Sequence, residues 1–184
     1  MLDIQRPSAI SGLDNLTPGD VVLFDEPSPF RDAEQPPEPC PFLVFDLHNL
    51  KNNRFVILAA ESPFQSSARC PFDIYVNRAF AIRAAGLSSP TSFNLHHRII
   101  VVDDHEGYCL QTDGTAVTGK LASAEQAQLQ AFRTPERIEA NLQSCKWAMK
   151  HFLPRRRSIS DARRKVIAPA PYSLPEQPQP SAEI

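Results

Sequence analysis

The chain has 184 residues, 42% of them hydrophobic and 22% charged, with a formal net charge of −2, which fits one domain with a modest core plus extra peptide and leaves no material for a second core. Its longest apolar runs, such as Phe55-Val56-Ile57-Leu58-Ala59-Ala60, fall far short of the roughly 18–20 residues that cross a bilayer, and Met1–Arg6 lack a basic stretch followed by an apolar one, so neither a membrane span nor secretion is expected and the protein is read as cytoplasmic. Cys40, Cys70, Cys109 and Cys145 form no CxxC pair, which speaks against a zinc knuckle and a disulfide framework and for reduced thiols.

Residues 1–17 read as a leader without strong periodicity. Pro18-Gly19 then introduces a strand, Asp20–Phe24. Six prolines follow between Asp25 and Pro41; each fixes φ and removes a backbone donor, so this stretch lies outside any sheet. Phe42–His48 and Arg54–Ala60 read as central strands because their apolarity is nearly continuous, and the polar Asn49–Asn53 joins them as a hairpin. Phe72–Val76 alternates as an edge strand does, Thr91–Leu95 and Arg98–Val102 supply one strand or two, and Asp113-Gly114 is placed to turn a hairpin between Tyr108–Leu110 and Thr115–Val117. Many short strands without long helices between them predict an SH3-like small barrel, with Phe42, Val44, Val56, Leu58, Ile74 and Ile100 pointing inward.

The C-terminal part turns helical. Ser123-x-x-Gln126 reads as a capping box for a helix through Phe132, and Thr134-Pro135-Glu136 starts a second. In the latter, Ile138, Leu142, Cys145, Met149 and Phe152 form one apolar stripe, opposite Glu139, Gln143, Lys146 and Lys150, that calls for docking on the barrel or on a second copy of the chain. Pro154 ends it. Residues 154–184 carry six basic groups against three acidic ones, so +3 sits on the tail and −5 on the rest; rich in proline and arginine, the tail is expected to be disordered and to attract polyanions.

Three short motifs stand in order: Pro18-Gly19-Asp20-Val21-Val22, then Ala85-Gly86-Leu87-Ser88-Ser89-Pro90-Thr91-Ser92-Phe93, then Thr118-Gly119-Lys120-Leu121. In sequence and rough spacing they resemble the small barrel toxins of the PemK/MazF type, over residues 18 to about 132. The resemblance implies an SH3-like barrel with C-terminal helices over 18–153, a homodimer, metal-independent cleavage of single-stranded RNA without a cofactor, and an antitoxin protein that occupies the same groove. Such cleavage needs a base for the ribose 2′-hydroxyl, a cation for the phosphorane and an acid for the leaving oxygen.

The family's arginine commonly opens the second strand in an Arg-Pro pair; here that pair is Cys40-Pro41, and the expected guanidinium is missing. Ser62 stands where the family has its phosphate-binding hydroxyl. An Arg and an Asp that some relatives place in the strand Thr91–Leu95 are missing as well. Arg31 and Arg69 are the candidate substitute cations. His96 and His97 are candidate RNA contacts, of which at most one can face a groove because adjacent strand residues point to opposite faces; Arg155, Arg156 and Arg157 are the tail's candidate RNA contacts. Asp103, Asp104 and His105 with His97 could be drawn as a metal site, but a polar turn explains them more simply, and no metal is expected. There is no GxSxG and no phosphate-cradling glycine loop. Two further readings stand beside the toxin: a barrel of the same ancestry that has lost cleavage and serves as a nucleic-acid- or protein-binding regulatory module, and a structural adaptor using the 138–152 helix and the tail.

Overall fold

The computed structural model describes residues 13, 15–25, 39–62, 70–112, 114–151 and 168–169. Seven strands and three helices appear among them: β1 Asp20–Phe24, β2 Cys40–Leu50, β3 Asn53–Ser62, β4 Asp73–Val76, α1 Ala79–Ala84, β5 Thr91–Val102, β6 Val117–Lys120, α2 Ser123–Phe132, α3 Pro135–His151 and β7 Ala168–Pro169. The strands form one antiparallel sheet in the order β4-β5-β3-β2-β1-β6, with β7 paired to Ile99 and Ile100 of β5 inside the segment expected to be disordered. No described helix is long and apolar enough to cross a membrane.

The apolar runs at 42–48 and 54–60 become β2 and β3, buried on both sides. One face packs under the helices, where Leu43, Phe45, Ile57, Ile74, Phe93 and Ile100 meet Leu129, Cys145 and Ala148. The other holds Phe42, Val44, Val56, Leu58, Ile99 and Val101 with Leu13, Leu16, Phe24 and Tyr108. The six residues expected to share one interior are therefore all buried, but Ile74 and Ile100 lie on the helix side and the other four on the far side. Each such side chain contributes roughly 1.5–3 kcal/mol.

Two irregularities set which residue faces which side. Between Val44 and Asp46 the β2–β3 register shifts by one, so Phe45 and Asp46 both turn toward the helices before alternation resumes with Leu47 on the far side. Between Ala59 and Glu61 the β3–β5 register shifts by three, because Ala59 pairs Arg98 while Glu61 pairs Phe93. The surplus lies in β5 at 94–97, and it divides one strand into two ladders: its first half lies between β4 and β3, and its second between β3 and β7.

The sheet is not closed into a barrel. Its edge strands β4 and β6 share no ladder; helices bridge them instead. Arg78, just before α1, donates to both oxygens of Glu125 in α2 at 2.8 and 3.0 Å. The end of α1 lies directly on β6: a Cβ on Gly119 would stand 2.4 Å from the Ala84 carbonyl oxygen, and one on Gly86, whose φ is +66°, 2.1 Å from that of Thr118. The second and third motifs thus meet in a seam of two glycines.

Three local expectations differ. Tyr108–Leu110 and Thr115–Val117 do not form a hairpin, although a turn closes between Gln111 and Thr115; β1 takes both segments, through a bridge from Phe24 to Tyr108 and the β1–β6 ladder. The capping box is absent because Gln126 donates to the Pro18 carbonyl at 3.0 Å, away from its own helix start, and α2 begins after an extended Ala122. In α3 the buried face is Asn141, Ser144, Cys145 and Ala148, with Ile138, Leu142 and Met149 half-buried and Phe152 outside the described residues. Small side chains let α3 sit close on β2, where Asn141 reaches two charged partners, and this turns the expected stripe partly outward.

Candidate functional site: a cationic cleft beside the β5 bulge

The bulge in β5 is held by its own first residue. Asn94 Oδ1 accepts the backbone N–H of His96 at 2.8 Å and of His97 at 3.1 Å, fixing a turn that a two-residue alternation cannot make. His96 is left half-buried, with its ring edge-on to Phe72 at 4.1 Å between centroids, while His97 is exposed. The next residue, Arg98, enters the helix side and is only 4% exposed. Its guanidinium lies 4.7 Å from the centroid of the Phe45 ring, and its Nη1 donates to Asn141 Oδ1 at 3.2 Å.

Asn141 passes the connection on, since its Nδ2 donates to Asp46 Oδ2 at 3.0 Å. Asp46 is shared: Arg133 Nη2 donates to Oδ1 at 2.9 Å, the Leu47 N–H to the same oxygen at 3.0 Å, and His48 Nε2 lies 3.1 Å from Oδ2. Burial alone raises a carboxyl pKa, but the hydrogen bonds from His48, Asn141 and Arg133 outweigh it and hold Asp46 at about 2. For Arg98, burial and then the neighbouring charge of Arg137 bring the guanidinium down to about 10, Asp46 acting the other way, so it stays charged at neutral pH. Burial, followed by the charges of Arg98 and Arg137, lowers His96 below its ordinary value against the pull of Asp73; the imidazole is neutral at pH 7.

These groups border a small open cleft whose walls are Phe45, Phe72, Leu95 and Phe132 and whose polar groups are His96, Arg98 and Arg137. Arg137 is half-buried; its Nη1 donates to the Phe132 carbonyl at 3.2 Å and its guanidinium stands 5.6 Å from that ring's centroid. Phe72 and Phe132 have centroids 6.5 Å apart with planes at 47°. Two guanidinium groups, an imidazole and three phenyl rings thus meet around one concavity.

The residues singled out from sequence are distributed differently. Ser62 ends β3 with its hydroxyl 2.7 Å from that of Ser92, whose own hydroxyl also lies 3.1 Å from the Ser62 carbonyl. The Phe42↔Ala60 register carried two residues further sets Cys40, which is exposed, level with Ser62. Strand alternation from Ala60 places Ser62 on the face away from the helices, so Ser62 and His96 do not share a site. Arg31, Arg69, Arg155, Arg156 and Arg157 lie outside the described residues. His105 is buried against Phe24, 5.4 Å between ring centroids, with its Nδ1 accepting the Gly107 N–H at 2.9 Å. Among the described residues no three His, Cys, Asp or Glu side chains converge as ion ligands. Asp46, Arg98, Asn141, Arg133 and Arg137 were not singled out from sequence; the signal available was a lone charge inside an apolar run, Asp46 after Phe42-Leu43-Val44-Phe45 and Arg98 before Ile99-Ile100-Val101-Val102.

No protein-family model matches the chain, and no curated protein matches it in sequence.

Proposed function

We propose that this chain binds single-stranded RNA in the Arg98–Arg137–His96 cleft, as a PemK/MazF-like small barrel left open and without the family's usual cleavage apparatus. The observation that carries the reading is the convergence of two guanidinium groups and three phenyl rings on one open concavity: cations track a phosphate backbone, and base stacking on an aromatic ring adds about 1–3 kcal/mol per base. Cys40 in place of the expected arginine, and a Ser62 hydroxyl engaged with Ser92, support loss of the inherited route. The homodimer and antitoxin that belong to this family reading rest on the three motifs.

The test is fluorescence anisotropy with a short labelled single-stranded RNA. Arg137→Ala and Phe72→Ala should each weaken binding by about tenfold, and Arg137→Ala should reduce the salt slope by about 0.7 for the lost phosphate contact. Wild-type affinity and slope in both variants would remove the cleft as the RNA site.

A second reading, metal-independent cleavage of the bound strand, is favoured by His96, a neutral imidazole beside two guanidinium groups. It could take the 2′-hydroxyl proton as that oxygen bonds to phosphorus and, as imidazolium, return the proton to the 5′-oxygen as the P–O5′ bond breaks, while Arg98 and Arg137 lie near the charge developing on the phosphoryl oxygens. Mapping RNA ends after incubation with wild type and with His96→Ala distinguishes it from binding alone.

A further inference from the structure

We propose that the exposed face of α3 is a second contact for single-stranded RNA, the ligand being that of the preceding reading: the indole of Trp147 stacks on a base while Lys146 and Lys150 meet the flanking phosphates. The first argument is the ring. Trp147 is the chain's single tryptophan and is 45% exposed, one turn from the C-terminal end of α3. One exposed indole is unremarkable by itself; its setting is not. Its ring stacks with that of His151, 4.7 Å between centroids and with planes at 30°, and His151 Nδ1 donates to the Trp147 carbonyl at 2.8 Å. The platform is therefore held before a ligand arrives and loses little freedom on binding, and a base of any identity can stack on it because every base has a π-face.

The second argument is charge. Helix α3 begins acidic, with Glu136 and Glu139, and Glu139 is engaged by Gln143 Nε2. From Ala140 to Ser160 the chain has no Asp or Glu but has Lys146, Lys150, Arg155, Arg156 and Arg157, which is +5 in a protein of formal charge −2, so that the remainder carries −7. Lys146 and Lys150, both exposed, stand one turn apart in the row beside Trp147 and His151. The helix dipole favours cations in the last turn, where Lys150 and His151 lie; Lys146 stands before it. A surface of this sign fits a polyanion, and the indole within it fits one that carries bases.

The third is position. Arg137 at the cleft and Trp147 lie on the same helix ten positions apart, about 15 Å along its axis, a span that a strand of a few nucleotides covers.

Because Trp147 is the only tryptophan, its fluorescence reports the contact directly. Titrating the full chain with a short single-stranded RNA should quench it. Trp147→Ala should weaken binding by about tenfold, Trp147→Phe, which keeps a smaller ring, should lose less, and Lys150→Glu should weaken binding by charge, with circular dichroism confirming that all three fold. An abasic strand of the same length should leave the fluorescence unmoved. RNA binding that is weakened by Arg137→Ala, yet leaves the fluorescence unmoved and Trp147→Ala at wild-type affinity, would overturn the α3 contact and keep the cleft. Quenching by RNA with Arg137→Ala and Phe72→Ala both at wild-type affinity would overturn the cleft and keep α3. Quenching by the abasic strand or by polyglutamate as strong as that by RNA would make this a plain anion surface, open to an acidic protein, and overturn base stacking. Failure of wild type to bind any RNA would overturn both readings.

Discussion

Asp46 shows how much one carboxylate can organise when it is placed under helices. Its folded pKa of about 2, against 3.8 for an unperturbed group, means that the unfolded chain binds more protons between those values. The stabilisation is therefore complete above about pH 4 and is lost as the pH falls through about 2. Its size is about 2 kcal/mol. Asp46→Asn should flatten the acid limb of the stability profile and lower stability at pH 7 by about 2 kcal/mol, since the half-buried Arg133 would lose its counter-charge. Denaturant titrations from pH 2 to 7 on both proteins check this, and parallel profiles would refute it. The charge itself was visible in the sequence as an aspartate interrupting an apolar strand. Its partners were not, because Arg133 and Asn141 lie 87 and 95 residues further along the chain, and nothing local tells a buried pair from an exposed one.

At the scale of elements, apolar runs and proline clusters located β1, β2, β3 and β4 to within a few residues. What escaped the sequence was parity. The extra residue at Phe45 and the three at 94–97 each exchange the two faces of a strand, and a bulge has no signature in a two-residue alternation. This is why Ile74, paired with Phe93 before the surplus, shares a cluster with Ile100 after it, and why Arg98 enters the helix side. Helix α3 misleads for a related reason: its most apolar stripe is not its closest contact, since Asn141, Ser144 and Ala148 make the approach to the sheet. The glycine seam between α1 and β6 is the most demanding junction of this kind. Gly119→Ala would drive a methyl group against the Ala84 carbonyl, and Gly86→Ala adds a positive φ to a similar clash. Each should cost about 1–3 kcal/mol from overpacking, with Gly86 the worse, read as a fall in the midpoint of urea unfolding. Gly114→Ala, with nothing within 4 Å of the added carbon, is the control for backbone strain alone.

For the molecule as a whole, charge is divided between an acidic body and a tail with six cations within 155–165, while the cleft supplies its own two guanidinium groups. Deleting residues 155–184 should therefore reduce the salt slope of RNA binding without abolishing it, the remainder being due to Arg98 and Arg137; a complete loss of binding in an intact fold would place the whole interface on the tail. Strand order carries a consequence in time. Central β1 lies between β2, whose partner residues follow within about twenty positions, and β6, where Asp20 pairs with Lys120 a hundred residues later. At about 5–20 residues per second of synthesis, one edge of β1 waits roughly 5–20 s for its partner to be made, bearing Val21, Val22 and Leu23 on an open ladder. During that interval the nascent chain presents a template to any passing strand, so the burden on chaperones falls early in translation and lifts only when Gly119 arrives at its seam.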